Sequence, residues 1–152
     1  MIRKALIHVR QSFASKDAII EFVAEAARKE GVLEDKMTFV EAVYQREREI
    51  STSVGYGIAI PHGKTDVVKE PFISFISLKE PFEWDAEQKD QVEAVFLIGV
   101  PETNTEMLHL KAIAAISRKL MDETFRQNLY ACATNQEAYN MLDEIDKSIR
   151  EA

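Results

Sequence analysis

Apolar residues in the first third of the chain recur at the spacing of helices. A single apolar face repeats between Ser15, which can cap a helix, and Gly31, which can end one. This face carries Ile19, Phe22, Val23, Ala26 and Ala27. A second helix is predicted to start at a capping box of Thr38 and Glu41 and to run into the charged segment 46–49. The pattern therefore predicts two amphipathic helices ahead of the first predicted strand.

Three β-rich apolar segments follow, and prolines separate them. They are GIAI (57–60), FISFISL (72–78) and VEAVFLIGV (92–100). Nearly continuous apolar runs are typical of strands that are buried on both faces of a sheet. The segments therefore predict the strands of a small central sheet.

Helical spacing returns after the third segment. Thr103 and Glu106 form another capping box, and Asn135 can cap a last helix. The apolar positions are Leu108, Ala112, Ala115, Ile116 and Leu120 in the first of these helices, Phe125 and Leu129 in a shorter one, and Ala138, Leu142, Ile145 and Ile149 in the last. Helices around a small mixed β-sheet predict an α/β (α+β-like) fold, and a length of 152 residues predicts a single domain over 1–152.

Composition narrows the classes of function. The formal net charge is -7, and the absence of a dense Lys/Arg block makes nucleic acid a poor partner. Cys132 is the single cysteine, so it excludes an internal disulfide and is interpreted as a small buried apolar residue. The N-terminus lacks the apolar core of a signal peptide, and no apolar run approaches membrane-spanning length. We therefore expect a cytoplasmic protein.

The candidate chemistry centres on His62 in the stretch GIAIPHG. Pro61 restricts the backbone on one side, and Gly63 removes bulk on the other, so an accessible and rigid imidazole is predicted at the end of a buried strand. A turn histidine without a chemical role is the alternative. His8 has no catalytic-looking neighbours and is interpreted as an ordinary strand or loop residue.

Other site classes find little support in the sequence. His62 and His109 could be two metal ligands, but HxxxH, HxH and cysteine-pair spacings are missing. A GxSxG nucleophile elbow and complete phosphate-loop motifs are missing too. Metal binding is therefore a weak competitor, and a two-histidine metal hydrolase is the weakest alternative.

A neutral imidazole can act as a nucleophile and form a covalent intermediate, which suits phosphoryl transfer. Such chemistry needs positive donors for the phosphoryl oxygens, and Arg46 and Arg48 are candidates. His109 is predicted in the first turn of a helix, where the helix dipole favours anions. The alternatives are a solvated helix end for the arginines and a half-buried helix residue for His109.

Together these residues resemble the enzyme IIA domain of the fructose–mannitol type in the phosphoenolpyruvate-dependent sugar phosphotransferase system. Glu47 opens the family signature, and segments 54–55 and 58–63 complete it. A second block at 109–113 and 117–120 also resembles the family. The similarity extends over nearly the whole chain, and the family fold is a mixed sheet flanked by helices. The resemblance implies no metal and no organic cofactor.

The resemblance implies that His62 is phosphorylated on Nε2. The carrier HPr then donates the phosphoryl group, a cysteine of enzyme IIB accepts it, and the membrane component IIC is involved only indirectly. Arg46 is implied as the active-site arginine because the spacing to Thr52 fits, although Arg48 opens a second Arg-Glu pair. His109 is implied as the second active-site histidine, and Thr52 as a further hydroxyl donor.

The mechanism expected from this resemblance has structural consequences. We expect His62 to be largely neutral at pH 7, with Nδ1–H held by a backbone acceptor and Nε2 towards solvent. We expect a shallow apolar rim, and Tyr56, which departs from the small or amide residue of many members, could alter partner contacts there. A regulatory, nitrogen-related enzyme IIA and a non-phosphorylated interaction domain are the alternatives. The sugar, whether fructose, mannitol, galactitol or another hexitol, is left open.

Overall fold

The computed structural model describes the backbone of residues 1–86, 89–103 and 107–151, and their side chains apart from those of Leu108, His109, Arg150 and Glu151. The elements are β1 (Ile2–Gln11), α1 (Lys16–Lys29), α2 (Lys36–Glu49), β2 (Ser53–Gly55), β3 (Ile58–Ala59), β4 (His62–Lys64), β5 (Phe72–Glu83), β6 (Gln91–Val100), α3 (Leu108–Leu120), α4 (Glu123–Ala131) and α5 (Asn135–Glu151). Helices therefore both precede and follow the main strands, as predicted.

The strands form one mixed sheet with β5 and β6 antiparallel at its centre. On the outer side of β5 lies β1, which is parallel to it. On the other side of β6, β3 and β4 lie one after the other, and both are parallel to β6. At the far edge, β2 pairs antiparallel with β3. The predicted mixed sheet is confirmed.

The sheet separates two apolar cores because alternate side chains along β5 and β6 point to opposite faces. Phe75 and Phe96 pack on the face that α3, α4 and α5 cover. Phe72 and Leu97 pack on the face that α1 and α2 cover. Helices on both faces explain why these strands are nearly continuous apolar runs.

The starts of α1 and α2 show how local capping signals compete. Ser15 caps α1 as predicted, and its hydroxyl accepts a hydrogen bond from Ala18 N at 3.1 Å. The start predicted for α2 at Thr38 is wrong, because the helix begins at Lys36 and Asp35 occupies the cap position. The Thr38 hydroxyl instead donates to the Asp35 carboxylate within the first turn.

The starts of the later helices also differ from the prediction. A cap at Thr103 is wrong because α3 begins at Leu108, and Glu106 of the predicted box lies outside the described residues. Asn135 is the first residue of α5, and Thr134 caps that helix by accepting from Glu137 N at 3.1 Å. The Asn135 carboxamide oxygen is left to accept from Val9 N at 2.9 Å, which ties α5 to β1.

The apolar pattern did not predict β1, β2 or β4. Charged Arg3 and Lys4 interrupt β1, which lies at the edge of the sheet and needs no continuous apolar run. The other two strands have three residues each, too few to show a period. Cys132 is buried as predicted, and this burial raises the pKa of its thiol.

The described helices and side chains were compared with the requirements of a membrane-spanning segment and of a metal site. Within the described part of the chain, every helix is too short or too polar to cross a bilayer. The described side chains likewise form no cluster of three or more His, Cys, Asp or Glu residues with the spacing of a metal site.

Candidate functional site

His62 lies where the chain resumes pairing with β6 after a break. β3 pairs with Ala94 and Val95, and β4 pairs with the segment 98–100 further along the same strand. Pro61 has no N–H to donate, but its carbonyl accepts from Ile98 N at 3.0 Å. His62 is thus the first residue of a short strand, rather than a residue beyond the end of one.

The imidazole of His62 is half-buried and has a defined backbone partner. Its Nδ1 lies 3.1 Å from the carbonyl oxygen of Ile60. A carbonyl oxygen only accepts hydrogen bonds, so Nδ1 carries the proton in the neutral ring and Nε2 carries the lone pair. The backbone acceptor expected for Nδ1 is therefore present.

Several groups act on the pKa of His62, and their net effect is to lower it. Burial is the largest cause, because it disfavours the charged imidazolium. The Ile60 carbonyl opposes it, the guanidinium of Arg46 lowers the pKa further, and the carboxylates of Glu47 and Glu49 raise it. The lowered pKa favours a neutral, nucleophilic imidazole at pH 7.

His62 faces a shallow groove between α2 and β4, which we call the α2–β4 groove. Its volume is about 260 Å³, and it is lined by Ala42, Gln45, Arg46, Glu49, His62 and Lys64. Its small size and open shape do not suit an enclosed small-molecule pocket, because such pockets commonly measure about 300–1,000 Å³. The groove suits a group delivered by another protein.

Gly63 sets the distance between the two walls of this groove. A Cβ at this position would lie 2.9 Å from Val43 Cγ2 and 3.0 Å from Phe39 Cε1. Both partners are buried on the core face of α2. The glycine next to the histidine therefore lets α2 pack closely over β4, in addition to leaving the imidazole accessible.

The two candidate arginines occupy different faces of α2. Arg46 is partly buried, lines the α2–β4 groove and donates from Nη1 to Ile50 O at 2.9 Å. Arg48 is exposed and lies two residues further on, a rotation of about 200° around the helix axis. Of the two, Arg46 is the one beside His62.

Lys64 is a groove residue that the sequence reasoning missed. It is exposed and shares the groove with His62 and Arg46. The sequence did show that Lys64 stands two residues after His62, and residues two apart in a strand point to the same side of the sheet. Only the existence of β4, which was not predicted, makes that spacing meaningful.

Thr52 lies beneath the site rather than in the groove. It is 5% exposed, and its hydroxyl donates to the carboxylate of Glu47. Its backbone carbonyl accepts from Ile60 N at 2.9 Å, which connects it to the segment that carries His62. The hydroxyl proton is therefore already donated to Glu47. A role for Thr52 as a direct donor to the phosphoryl group stays a prediction.

The side chain of His109 lies outside the described part of the structure. Its backbone belongs to the first turn of α3, as predicted, although the helix starts later than expected. Since β4 and β6 are parallel, the segment that leads from β6 to α3 departs from the edge of the sheet where β4 ends. Contact between His109 and the phosphoryl group stays a prediction.

Tyr56 is not among the described residues that line the α2–β4 groove, and an effect on partner contacts stays a prediction. It sits in the turn between β2 and β3, where the carbonyl of the next residue, Gly57, accepts from Glu93 N. His62 pairs with Ile98, five residues further along β6, or about 16 Å at the rise of a strand. Tyr56 instead stacks under the guanidinium of Arg126, with Cζ 4.0 Å from the ring centroid.

Exposed apolar side chains border the segments that lead to and from the site. Ile50 and Val54, which are 61% and 49% exposed, follow the C-terminus of α2. Met107 and Leu110, which are 59% and 48% exposed, surround the start of α3. None of these four residues is among the described residues that line the α2–β4 groove, so the expected apolar rim stays a prediction.

Residues 1–145 match the family model described as phosphoenolpyruvate-dependent sugar phosphotransferase system, EIIA 2. A fructose-specific EIIA component of Haloferax volcanii is 35% identical over 140 residues, covering 92% of this chain and 90% of that protein. A nitrogen regulatory protein of Bradyrhizobium diazoefficiens is 34% identical over 139 residues, covering 91% and 89%. Several other curated relatives are much longer, and the chain spans only 16 to 23% of their length.

Solved structures share this fold. The nitrogen regulatory protein IIA-Ntr of Neisseria meningitidis superposes with a TM-score of 0.82 at 28% identity, covering 93% of this chain and 95% of that one. The mannitol enzyme IIA of Escherichia coli, in its complex with phosphorylated enzyme IIB, gives 0.79 at 23% identity, covering 95% and 99%. The second likeness concerns the fold alone.

Proposed function

Because the chain belongs to the EIIA type 2 family of the phosphoenolpyruvate-dependent sugar phosphotransferase system, whose members are phosphotransferase components, we propose that it carries a phosphoryl group on Nε2 of His62. The observation that carries this proposal is the contact between His62 Nδ1 and the Ile60 carbonyl. This contact holds the proton on Nδ1 and leaves the lone pair on Nε2. Burial supports the neutral ring by lowering the pKa of His62.

The transfer consists of two in-line displacements. Nε2 of His62 attacks the phosphorus of phosphorylated HPr, so that an N–P bond forms as the N–P bond to HPr breaks. The thiolate of an enzyme IIB cysteine then attacks the same phosphorus, so that an S–P bond forms as the bond to Nε2 breaks. The proton on Nδ1 stays in place throughout, and the ring returns to its neutral form.

Arg46 and Lys64 supply positive charge for the phosphoryl oxygens. Arg46 uses Nη1 for the Ile50 carbonyl, and the rest of its guanidinium fork has further N–H donors for an anion. Lys64 lies on the same side of β4 as His62 and adds a mobile point charge. His109 completes the set by contacting or orienting the phosphoryl group.

Two protein partners, used in turn, fit the open α2–β4 groove. HPr and enzyme IIB in turn cover the half-buried imidazole at this groove, and each thereby helps to exclude water around the phosphoryl group. Neither metal nor nucleic acid takes part, and IIC is reached only through enzyme IIB. The reactions take place in the cytoplasm, where HPr operates.

Sugar uptake is the favoured use of this carrier, and nitrogen-related regulation is the second candidate. The fructose-specific relative supports the first, and the nitrogen regulatory relative, at nearly the same identity, supports the second. Transfer to the enzyme IIB encoded nearby, together with loss of growth of a deletion strain on one sugar of a panel, supports uptake. Unchanged growth on every sugar, with altered nitrogen responses, supports regulation.

The proposal is tested by incubating the pure protein with phosphoenolpyruvate, enzyme I and HPr and measuring its mass. We expect one acid-labile phosphate on the wild type and on His8→Ala, the matched histidine control, and none on His62→Ala. Nitrogen NMR of the phosphorylated imidazole is expected to place the phosphate on Nε2. A phosphate that persists in His62→Ala, or no phosphate on the wild type, contradicts the proposal.

A further inference from the structure

We propose that Glu47 is a positioning residue for His62, acting through the Thr52 hydroxyl and the backbone of Ile60. The proposal rests on the proposed function, since it concerns the tautomer that makes Nε2 the nucleophile. Glu47 does not line the groove, and its described hydrogen bonds go to Thr52 and Trp84, although its charge also raises the pKa of His62.

Glu47 occupies a position where the helix pattern calls for an apolar residue. Phe39, Val43 and Glu47 are four residues apart and all buried on the core face of α2. The side chain of Glu47 is only 4% exposed. A carboxylate in such a place loses its hydration and is costly unless donors surround it. An apolar residue would serve packing alone, so the acid points to a second role.

Three donors from different parts of the chain converge on this carboxylate. The Thr52 hydroxyl donates to Oε1, and the indole Nε1 of Trp84 donates to Oε2 at 3.3 Å. The ammonium of Lys16, at the start of α1, lies 3.6 Å from Oε2. Glu47 therefore fixes the path of the segment that follows α2, and Thr52 is the point of attachment.

Hydrogen bonds connect that attachment to the imidazole. The Thr52 carbonyl accepts from Ile60 N at 2.9 Å, and the Ile60 carbonyl faces His62 Nδ1 at 3.1 Å. Pro61 lies between Ile60 and His62, and its carbonyl accepts a hydrogen bond from Ile98 N. The Ile60 N–H and the Pro61 carbonyl, on either side of the Ile60 carbonyl, are thus both hydrogen-bonded. These bonds set the direction of the Ile60 carbonyl, and that direction decides which ring nitrogen of His62 keeps the proton.

The first test uses the mildest pair of variants, Thr52→Val and Thr52→Ser. Valine keeps the shape of threonine without the hydroxyl, whereas serine keeps the hydroxyl. In Thr52→Val we expect NMR of the imidazole nitrogens of unphosphorylated His62 to show a larger fraction with the proton on Nε2. We also expect the turnover number for transfer from HPr to fall about three- to tenfold at unchanged KM, as for the loss of one ordinary hydrogen bond. Thr52→Ser is expected to match the wild type.

Glu47 is tested by Glu47→Gln and Glu47→Ala. Glutamine keeps one acceptor oxygen for Thr52, so we expect it to restore most of the tautomer preference that Glu47→Ala loses. Combining Glu47→Ala with Thr52→Val is expected to cost no more than the larger single effect, because both act on one connection. Trp84→Phe is the matched stability control, since it removes a donor to Glu47 and leaves the Thr52 contact in place.

A purely structural role gives a different set of results. In that case the Glu47 and Thr52 variants lower the melting temperature as Trp84→Phe does, while the tautomer ratio and turnover number stay at wild-type values, and the inference is overturned. If His62 of the wild type accepts no phosphate, the proposed function fails, and the tautomer ratio still decides the positioning role. The two failures are therefore distinguishable.

Discussion

Substituting Gly63 by alanine tests whether close packing of α2 on β4 builds the site. The added methyl group would lie 2.9 Å from Val43 Cγ2 and 3.0 Å from Phe39 Cε1. Optimal carbon–carbon separations are about 3.5–4.0 Å, so the overlap is at least about 0.5 Å with each of two buried side chains. Since both belong to α2, relief of the overlap requires that the helix move away from the strand.

The expected size of the effect combines two opposing contributions. Overpacking of a filled core costs about 1–3 kcal/mol. Loss of backbone freedom in the unfolded chain returns about 0.4–1 kcal/mol on replacing glycine by alanine. We therefore expect Gly63→Ala to lower the free energy of unfolding by about 1.3 kcal/mol, between extremes of about 0 and 2.6 kcal/mol.

A second effect distinguishes this substitution from a simple loss of stability. Burial, the largest cause, and the charge of Arg46 lower the pKa of His62, whereas Glu47 and Glu49 on the same helix raise it. All of these effects weaken if α2 moves outward, and the loss of burial is expected to dominate. The pKa of His62 should therefore rise towards its ordinary value, and phosphoryl transfer should slow. Gly31→Ala is the control, because Gly31 has a left-handed φ of 80° and lies away from the groove, so stability falls without these two changes.

The measurements are denaturant unfolding, NMR titration of His62 and the rate of phosphoryl transfer. Val43→Ala alone should cost about 2 kcal/mol, from the lost apolar burial and the cavity. Combined with Gly63→Ala it should cost less than the sum by about 0.5 kcal/mol or more, because the smaller residue makes room. Additive costs, or a Gly63→Ala protein with wild-type stability and His62 pKa, would refute the reasoning.

Other predictions concern the charge of the site and the caps. The lowered pKa means that folded His62 binds a proton less readily than the unfolded chain does. Stability should therefore fall as pH drops below about 6.5 and level off below the folded pKa, and His62→Gln should remove this component in unfolding curves measured across that range. Arg46→Ala should slow transfer about 10–100-fold, as for loss of a charged hydrogen bond, whereas Arg48→Ala should not, and the reverse result would exchange their roles. Thr134→Ala should cost about 1 kcal/mol of unfolding free energy as a lost helix cap, and a cost near zero would contradict that assignment.

Local patterns predicted most elements but few of their starting points. A hydrophobic period can be recognised from residues that are close together in sequence. It therefore predicted the buried strands β5 and β6 and the helices α1, α4 and α5. Apart from the cap of α1 at Ser15, helix starts were not predicted, because adjacent residues such as Thr134 and Asn135 are equally good caps. Which of them caps depends on a distant partner, here Val9 N, which takes the Asn135 side chain.

The sequence by itself determined the family and singled out His62 as the histidine that we propose carries the phosphoryl group, because the residues from Glu47 to Gly63 stand in an ordered local pattern. Its spacing favoured Arg46, but it could not exclude Arg48, which opens a second Arg-Glu pair; the packing of α2 over β4 places Arg46 beside His62. The sequence could not show that Glu47 is buried beneath the site, where periodicity calls for an apolar residue. These features depend on contacts between segments far apart in the chain, and such contacts leave no periodic trace. The tertiary structure alone identified the carbonyl of Ile60 as the backbone acceptor beside Nδ1 of His62.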